Sequence, residues 1–208
     1  MKNHRAVNTF LAALALVAAA PAFAQNAITV YGGARAGGAG FSDNSAGDRS
    51  IDLDGGGAGS ISFDRQIDPT RQVQIFISHQ STELTGVTRS GGGLDRVPLD
   101  VTYAHLGGTV FFENPIGQPG GYVVGGLGVS YLSPGLDGLS AEIRPSMSIG
   151  IGYEQPLSGA LALRFEVRGY ATLVSSNSGF FCSGGCTVNI KGDVITQAEV
   201  MLGLQVRF

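Results

Sequence analysis

Eight stretches of this chain alternate apolar and polar residues with the period of two that belongs to β-strands. In residues 28–41, Ile28, Val30, Ala34 and Ala36 oppose Thr29, Tyr31 and Arg35. Residues 51–63 set Leu53, Ile61 and Phe63 against Asp52, Asp54, Ser60 and Ser62, and residues 71–80 set Val73, Ile75 and Ile77 against Gln72, Gln74, Ser78 and Gln80, with Phe76 on the polar side. In residues 100–112, Ala104, Leu106, Val110 and Phe112 oppose Tyr103, His105 and Thr109. Residues 121–132 are apolar or glycine on both faces and read as a strand by their bounds, Pro119-Gly120 and Ser133-Pro134-Gly135. Residues 139–154 oppose Ile143, Met147, Ile149, Ile151 and Tyr153 to Glu142, Arg144, Ser146, Ser148 and Glu154, with Pro145 marking a bulge or an upper strand end. Residues 160–173 alternate Leu161, Leu163, Phe165 and Val167 with Arg164, Glu166, Arg168 and Tyr170. The last stretch, 195–208, places Val200, Leu202, Leu204, Val206 and Phe208 opposite Gln197, Glu199, Met201, Gly203, Gln205 and Arg207.

The connections alternate as well. Those after the second, fourth and sixth stretches are short and carry Asp68-Pro69, Asn114-Pro115 and Gln155-Pro156. On the other side, residues 81–99 and 174–194 read as long loops rich in Gly, Ser, Asp and Asn, while 133–138 is short. Short turns at one end and long loops at the other are the pattern of an up-and-down barrel that crosses a membrane. The stretches have the length of tilted membrane strands, roughly 9 to 11 residues. Phe41, Phe63, Phe112, Tyr131, Tyr153 and Phe208 fall near strand ends, where interfacial girdles sit. A soluble eight-stranded barrel of the lipocalin kind also alternates, with its apolar face inward. A water-facing wall would need more charge than this chain supplies, since Lys191 is the sole lysine outside the first residues.

Those first residues read as an export signal. Lys2 and Arg5 precede an apolar run from Phe10 to Ala20, and Ala22-Phe23-Ala24 forms a small-residue cleavage site before Gln25. The run is shorter than the ~20 residues of a membrane helix. Residues 1–24 are therefore expected to leave as a signal peptide and 25–208 to form one barrel domain. With an export signal at one end and an amphipathic strand closing on Phe208 at the other, the chain resembles the small eight-stranded outer-membrane β-barrel proteins of the OmpA/OmpX type. The resemblance implies an all-β fold of eight antiparallel up-and-down transmembrane strands in the outer membrane of a Gram-negative bacterium. It also implies outer-membrane lipid as surroundings and recognition of the last strand by the barrel-assembly machinery. Proteins of that type are implied to act in envelope integrity, in surface interaction or adhesion, and sometimes in slow solute passage.

Charge fits that setting. Without Lys2 and Arg5 the formal net charge falls from −3 to −5, which excludes the basic patch of a nucleic-acid binder. A barrel of eight strands has an interior just wide enough for side chains to fill. On the register above, Arg35, Asp52, Asp54, His105, Glu142, Arg144, Arg164, Glu166, Arg168, Glu199 and Arg207 all point into it. Unpaired buried charges are costly, so these residues are expected to pair and plug the lumen. A narrow pore through the same charges is the alternative.

Other candidate chemistry is sparse. Cys182 and Cys186 enclose Ser183-Gly184-Gly185 in a predicted outer loop and are expected to form a disulfide, since an exported chain oxidises its thiols. No metal-ligand set surrounds them, and no cofactor motif occurs: neither Gly55-Gly56-Gly57 nor Gly125-Gly126-Leu127-Gly128 opens a helix or carries the Lys-Ser/Thr of a phosphate loop. His79, Ser81 and Glu83 share one face at the outer end of the third stretch. Their spacing resembles that of outer-membrane lipid A deacylases, although that family carries its pair later in the chain. The plainer reading is a polar strand end, and the chain is not expected to be an enzyme. Envelope structure or surface interaction through the outer loops is the leading expectation, ahead of a narrow pore and a lipid-modifying enzyme.

Overall fold

The computed structural model describes residues 25–37, 41–43, 49–88, 94–135, 140–173 and 194–208; side chains are described for these except 41–52, 85–88 and 94–95. Residues 1–24, expected from the sequence to be a signal peptide, residues 174–193 of an expected outer loop, and the pair Cys182 and Cys186, expected to form a disulfide, lie outside the described residues. The strands are β1 (Asn26–Ala36), β2 (Phe41–Asp43), β3 (Arg49–Leu53), β4 (Gly56–Gln66), β5 (Arg71–Thr88), β6 (Leu94–Phe111), β7 (Gly120–Pro134), β8 (Glu142–Pro156), β9 (Leu161–Leu173) and β10 (Val194–Arg207). β1, β4, β5, β6, β7, β8, β9 and β10 pair with their chain neighbours, and β10 pairs back onto β1, so eight antiparallel strands close a barrel. No helix occurs among the described residues.

Closure follows from the register. Paired residues lead around the wall from His79 to Gly59, Gly32, Leu202, Phe165, Tyr153 and Gly121. From there Gly121 carbonyl accepts from Phe112 N–H, which lies beyond the Arg71 end of β5. One circuit thus returns many residues below its start, the stagger of strongly tilted strands. The wall is inverted relative to a soluble barrel. Val30, Ile61, Ile75, Leu106, Leu127, Ile149, Ile151, Phe165, Val200 and Leu202 are exposed on the outside, Ile149 by 75%. Arginine, glutamate, glutamine and serine fill the inside. An outward apolar belt around a charged interior is the arrangement for hydrocarbon surroundings, and the fold is a transmembrane β-barrel.

Both chain ends of the barrel meet at one rim, where Asn26 and Phe208 exchange backbone hydrogen bonds of 3.1 and 2.9 Å. The three short turns lie at that rim. In residues 67–70, Asp68 Oδ1 accepts from Thr70 N–H at 2.8 Å, and this bond holds the Asp68 carboxyl below its usual pKa. Exposed Phe63, Phe112, Tyr153, Phe165 and Phe208 ring the same end, while Tyr131 stands near the other. Phe41, placed at a strand end by the sequence, has no described side chain. Bulky lumen rings fit because glycine faces them: a Cβ on Gly203 would lie 2.4 Å from Tyr31 Cδ1, and one on Gly152 2.3 Å from Tyr122 Cζ.

The far rim differs from the sequence reading. Residues 81–99, expected as a loop, are largely strand, since β5 runs to Thr88 and β6 begins at Leu94. The reason is continued alternation: Leu84, Val97 and Leu99 keep an apolar inner face, and Leu84 and Leu99 pack in the cluster that includes Leu53. The first stretch likewise ends at Ala36 rather than 41, and β2 and β3 pair as a separate short hairpin whose second strand adds to β5. The wall therefore rises into a taller flap on this side.

Depth within the belt sets the cost of a charge. Ile151→Arg, near mid-belt, should lower stability by ~2–4 kcal/mol, and Leu173→Arg, near the far rim, by ~0–1 kcal/mol. Reversible urea unfolding in lipid vesicles reads both; equal costs would contradict the belt's placement.

Candidate functional site

The lumen is where the polar chemistry converges. β9 supplies it most densely, because every second residue along it points inward, Arg164, Glu166, Arg168 and Tyr170 among them, and the sign of charge alternates from Arg164 to Arg168. β10 contributes Gln197, Glu199, Gln205 and Arg207, and β1 contributes Thr29, Tyr31 and Arg35. Among the described residues, four buried arginines (35, 164, 168 and 207) face four buried acids (Asp64, Glu154, Glu166 and Glu199). Arg35, Arg164 and Arg168 are at most 1% exposed.

These groups stack in three tiers. Toward the far rim, Glu199 accepts from Arg35 Nε and Nη2 at 3.2 and 2.9 Å, from Tyr170 hydroxyl at 2.6 Å and from Ser78 hydroxyl at 3.1 Å, with Ser60 3.1 Å from its other oxygen. The Arg35 guanidinium also meets Ser78 and lies 5.0 and 4.9 Å from the Tyr103 and Tyr170 ring centres. In the middle tier Arg168 donates to Glu166 at 2.7 Å and to Gln74 at 2.9 Å, and it sits 3.7 Å over the Phe76 ring. Tyr122 hydroxyl donates to Glu166 at 2.9 Å. Nearest the turns, Arg164 reaches Glu154 at 3.0 Å, Gln72 at 2.9 Å and Asp64 at 3.4 Å, and Arg207 closes the tier on Glu154. Charge-assisted bonds of this kind are the strong ones, and low-dielectric surroundings make each partner costly to remove.

The structure places the sequence candidates unevenly. Arg35, His105, Arg164, Glu166, Arg168, Glu199 and Arg207 are buried in the lumen. Glu142 and Arg144 pair at 2.7 Å nearer the far rim and are each 19% exposed, so they belong to the mouth rather than the plug. Asp54 lies at the same rim, its backbone carbonyl accepting from Thr82 hydroxyl at 2.5 Å; the side chain of Asp52 lies outside the described residues. Two members of the network are not among the inward charges expected from the sequence. Asp64 fell beyond the stretch ending at Phe63, although it continues the Ser60 and Ser62 face; Glu154 stood on the polar face of its stretch without being counted inward.

His79, Ser81 and Glu83 do not form a triad. The His79 ring bonds Thr102 hydroxyl at 2.9 Å on β6, while Glu83 pairs with Arg96 at 3.2 Å. The base is thus engaged away from Ser81. Among the described residues no group of three or more His, Cys, Asp or Glu could hold a metal ion.

Closed strand order, an apolar exterior and a packed ionic interior define a small eight-stranded transmembrane β-barrel. Solved structures carry the same fold. Neisserial surface protein A superposes with a TM-score of 0.56 at 14% identity over 88% of this chain and 99% of that one. The outer membrane protein OprG from Pseudomonas aeruginosa gives 0.51 at 14% identity over 89% and 96%, and the outer membrane protein AlkL, solved in lipid bilayers, gives 0.50 at 14% over 91% and 93%. No family model matches the chain, and no curated protein matches it in sequence. The likeness is therefore one of fold.

Removing one partner of the Glu199 cluster should show how much the tier matters. Arg35→Met leaves a buried carboxylate and should cost ~3–5 kcal/mol, whereas Arg35→Met with Glu199→Leu should recover most of that loss. Unfolding of both variants in vesicles gives the comparison; additive losses in the double variant would contradict a paired charge.

Proposed function

We propose that this protein is an outer-membrane barrel with a closed lumen, acting in envelope structure and in interactions at its far rim. The observation that carries this reading is the packed ionic interior, in which three arginines are essentially inaccessible to solvent and each donates to a carboxylate. A tube of eight strands holding such side chains has no room left for an open porin channel. The apolar belt supports lipid as the barrel's surroundings, and the fold's solved neighbours named as outer membrane proteins support that membrane. Export by a cleaved segment 1–24, and recognition of β10 and Phe208 by the assembly machinery, complete the proposal from the sequence. Among the described residues, β5 and β6 extend furthest at the far rim, with β2 and β3 beside them, and we take this flap as the place for contacts.

Conductance in planar bilayers at neutral pH tests the closed lumen. The purified protein should insert without steady, resolved open states; reproducible long openings would replace this reading with a narrow pore.

A further inference from the structure

His105 has no part in the ion pairs, yet the fold builds a slot for it. From β8, Ser146 and Ser148 clamp the ring, with Ser146 Oγ 2.8 Å from Nε2 and Ser148 Oγ 2.9 Å from Nδ1. From β7, two glycines form the wall: a Cβ on Gly128 would lie 2.8 Å from His105 Cδ2, and one on Gly126 3.2 Å from His105 Cβ. Tyr103 and Tyr170 flank the ring at 5.6 and 6.0 Å between centres. We propose that His105 is an acid-operated latch that holds the lumen closed while its imidazole is neutral and loosens the upper tier when it gains a proton. The proposal rests on the closed-lumen reading.

The charge geometry gives the sign. A neutral imidazole is fully bonded here, since one nitrogen donates to a serine hydroxyl and the other accepts from one. Two hydroxyls also accept from a cationic ring, so protonation breaks no hydrogen bond; its cost is electrostatic. The charges facing the ring are Arg35 from β1 and Arg168 from β9, the former lying against the same two tyrosines. The nearby carboxylates are committed: Glu199 on β10 to Arg35 and Tyr170, and Glu166 on β9 to Arg168 and Tyr122. β8 offers the two serines and, further toward the mouth on the same face, Arg144 with its partner Glu142; β7 offers glycines, and β5 Phe76, the residue paired with His105 across the sheet. A fifth positive charge in a lumen of four against four therefore repels both guanidiniums. Arg35 and Arg168 hold the two upper tiers together, so their displacement admits water and ions.

The test follows open time in planar bilayers stepwise from pH ~7 to pH ~3.5, well past the range in which an ordinary histidine changes charge. Wild type should open about tenfold more in acid. His105→Asn, which cannot take up the proton, should stay closed at every step, and His79→Asn, altering the outward histidine, should behave as wild type. Where His105→Asn does not insert, His105→Gln takes its place, and ring NMR of the wild type in nanodiscs supplies an independent reading: the His105 midpoint should coincide with the rise in open time. An equal acid response in the His105 variant, no acid response in wild type, or a ring that does not titrate across the transition would each overturn the latch. Openings already steady at neutral pH would instead remove the closed-lumen reading beneath it.

Discussion

Closing eight strands into a narrow tube forces inward side chains into contact, and in this chain those side chains are charged. Burying one ion alone would cost more than a fold of this size can spare. The interior is therefore tolerable only as a balanced set, and the four arginines and four acids of the described lumen meet that demand by pairing, Arg168 with Glu166 along β9 and the others across strands. Arg164 of β9 joins Asp64 of β4, Gln72 of β5 and Glu154 of β8, and Arg168 joins β9 to Gln74 of β5. Such bonds span the tube, so the wall cannot widen without exposing unpaired charge. The lipid-facing side is undemanding by comparison, since scattered aliphatic residues satisfy it.

Glu199 shows how the same constraint fixes the seam. It is the direct cross-strand partner of Arg35 where the last strand meets the first, and hydroxyls from β4, β5 and β9 also reach it. A slip of one residue at this seam would turn either Arg35 or Glu199 toward lipid and leave its partner alone. Closure, register and plugging are thus one event energetically. The serines at positions 60 and 78 matter for the same reason, because small hydroxyls let a carboxylate sit close to the wall and still be fully bonded.

Much of this was legible in the sequence because a barrel wall has only two faces. Alternation put Arg35, Arg164, Glu166, Arg168, Glu199 and Arg207 inward, and the structure has them there. It also put Phe76 among polar residues, a placement explained by Arg168 stacked over its ring. Strand ends were less legible. Polar residues at 81–88 and 94–98 look like a loop until Leu84, Val97 and Leu99 are recognised as one apolar face, and Asp64 was lost with two residues of β4. The pairing of Arg164 with Asp64 and of Arg207 with Glu154 could not be read, because those partners lie on strands far apart in the chain and are set by the stagger of the closed wall. The slot around His105 was equally hidden, since it needs β6, β7 and β8 in register.

Closure, register and the plugged lumen all depend on a dry, paired interior. Arginine side-chain NMR of the protein in lipid bilayers, with exchange of the Nε protons against water, measures that most directly. A dry interior gives slow exchange for Arg35, Arg164 and Arg168 and fast exchange for exposed Arg65, Arg71 and Arg96. Uniformly fast exchange for all six would mean that water fills the lumen, and would contradict the ionic plug.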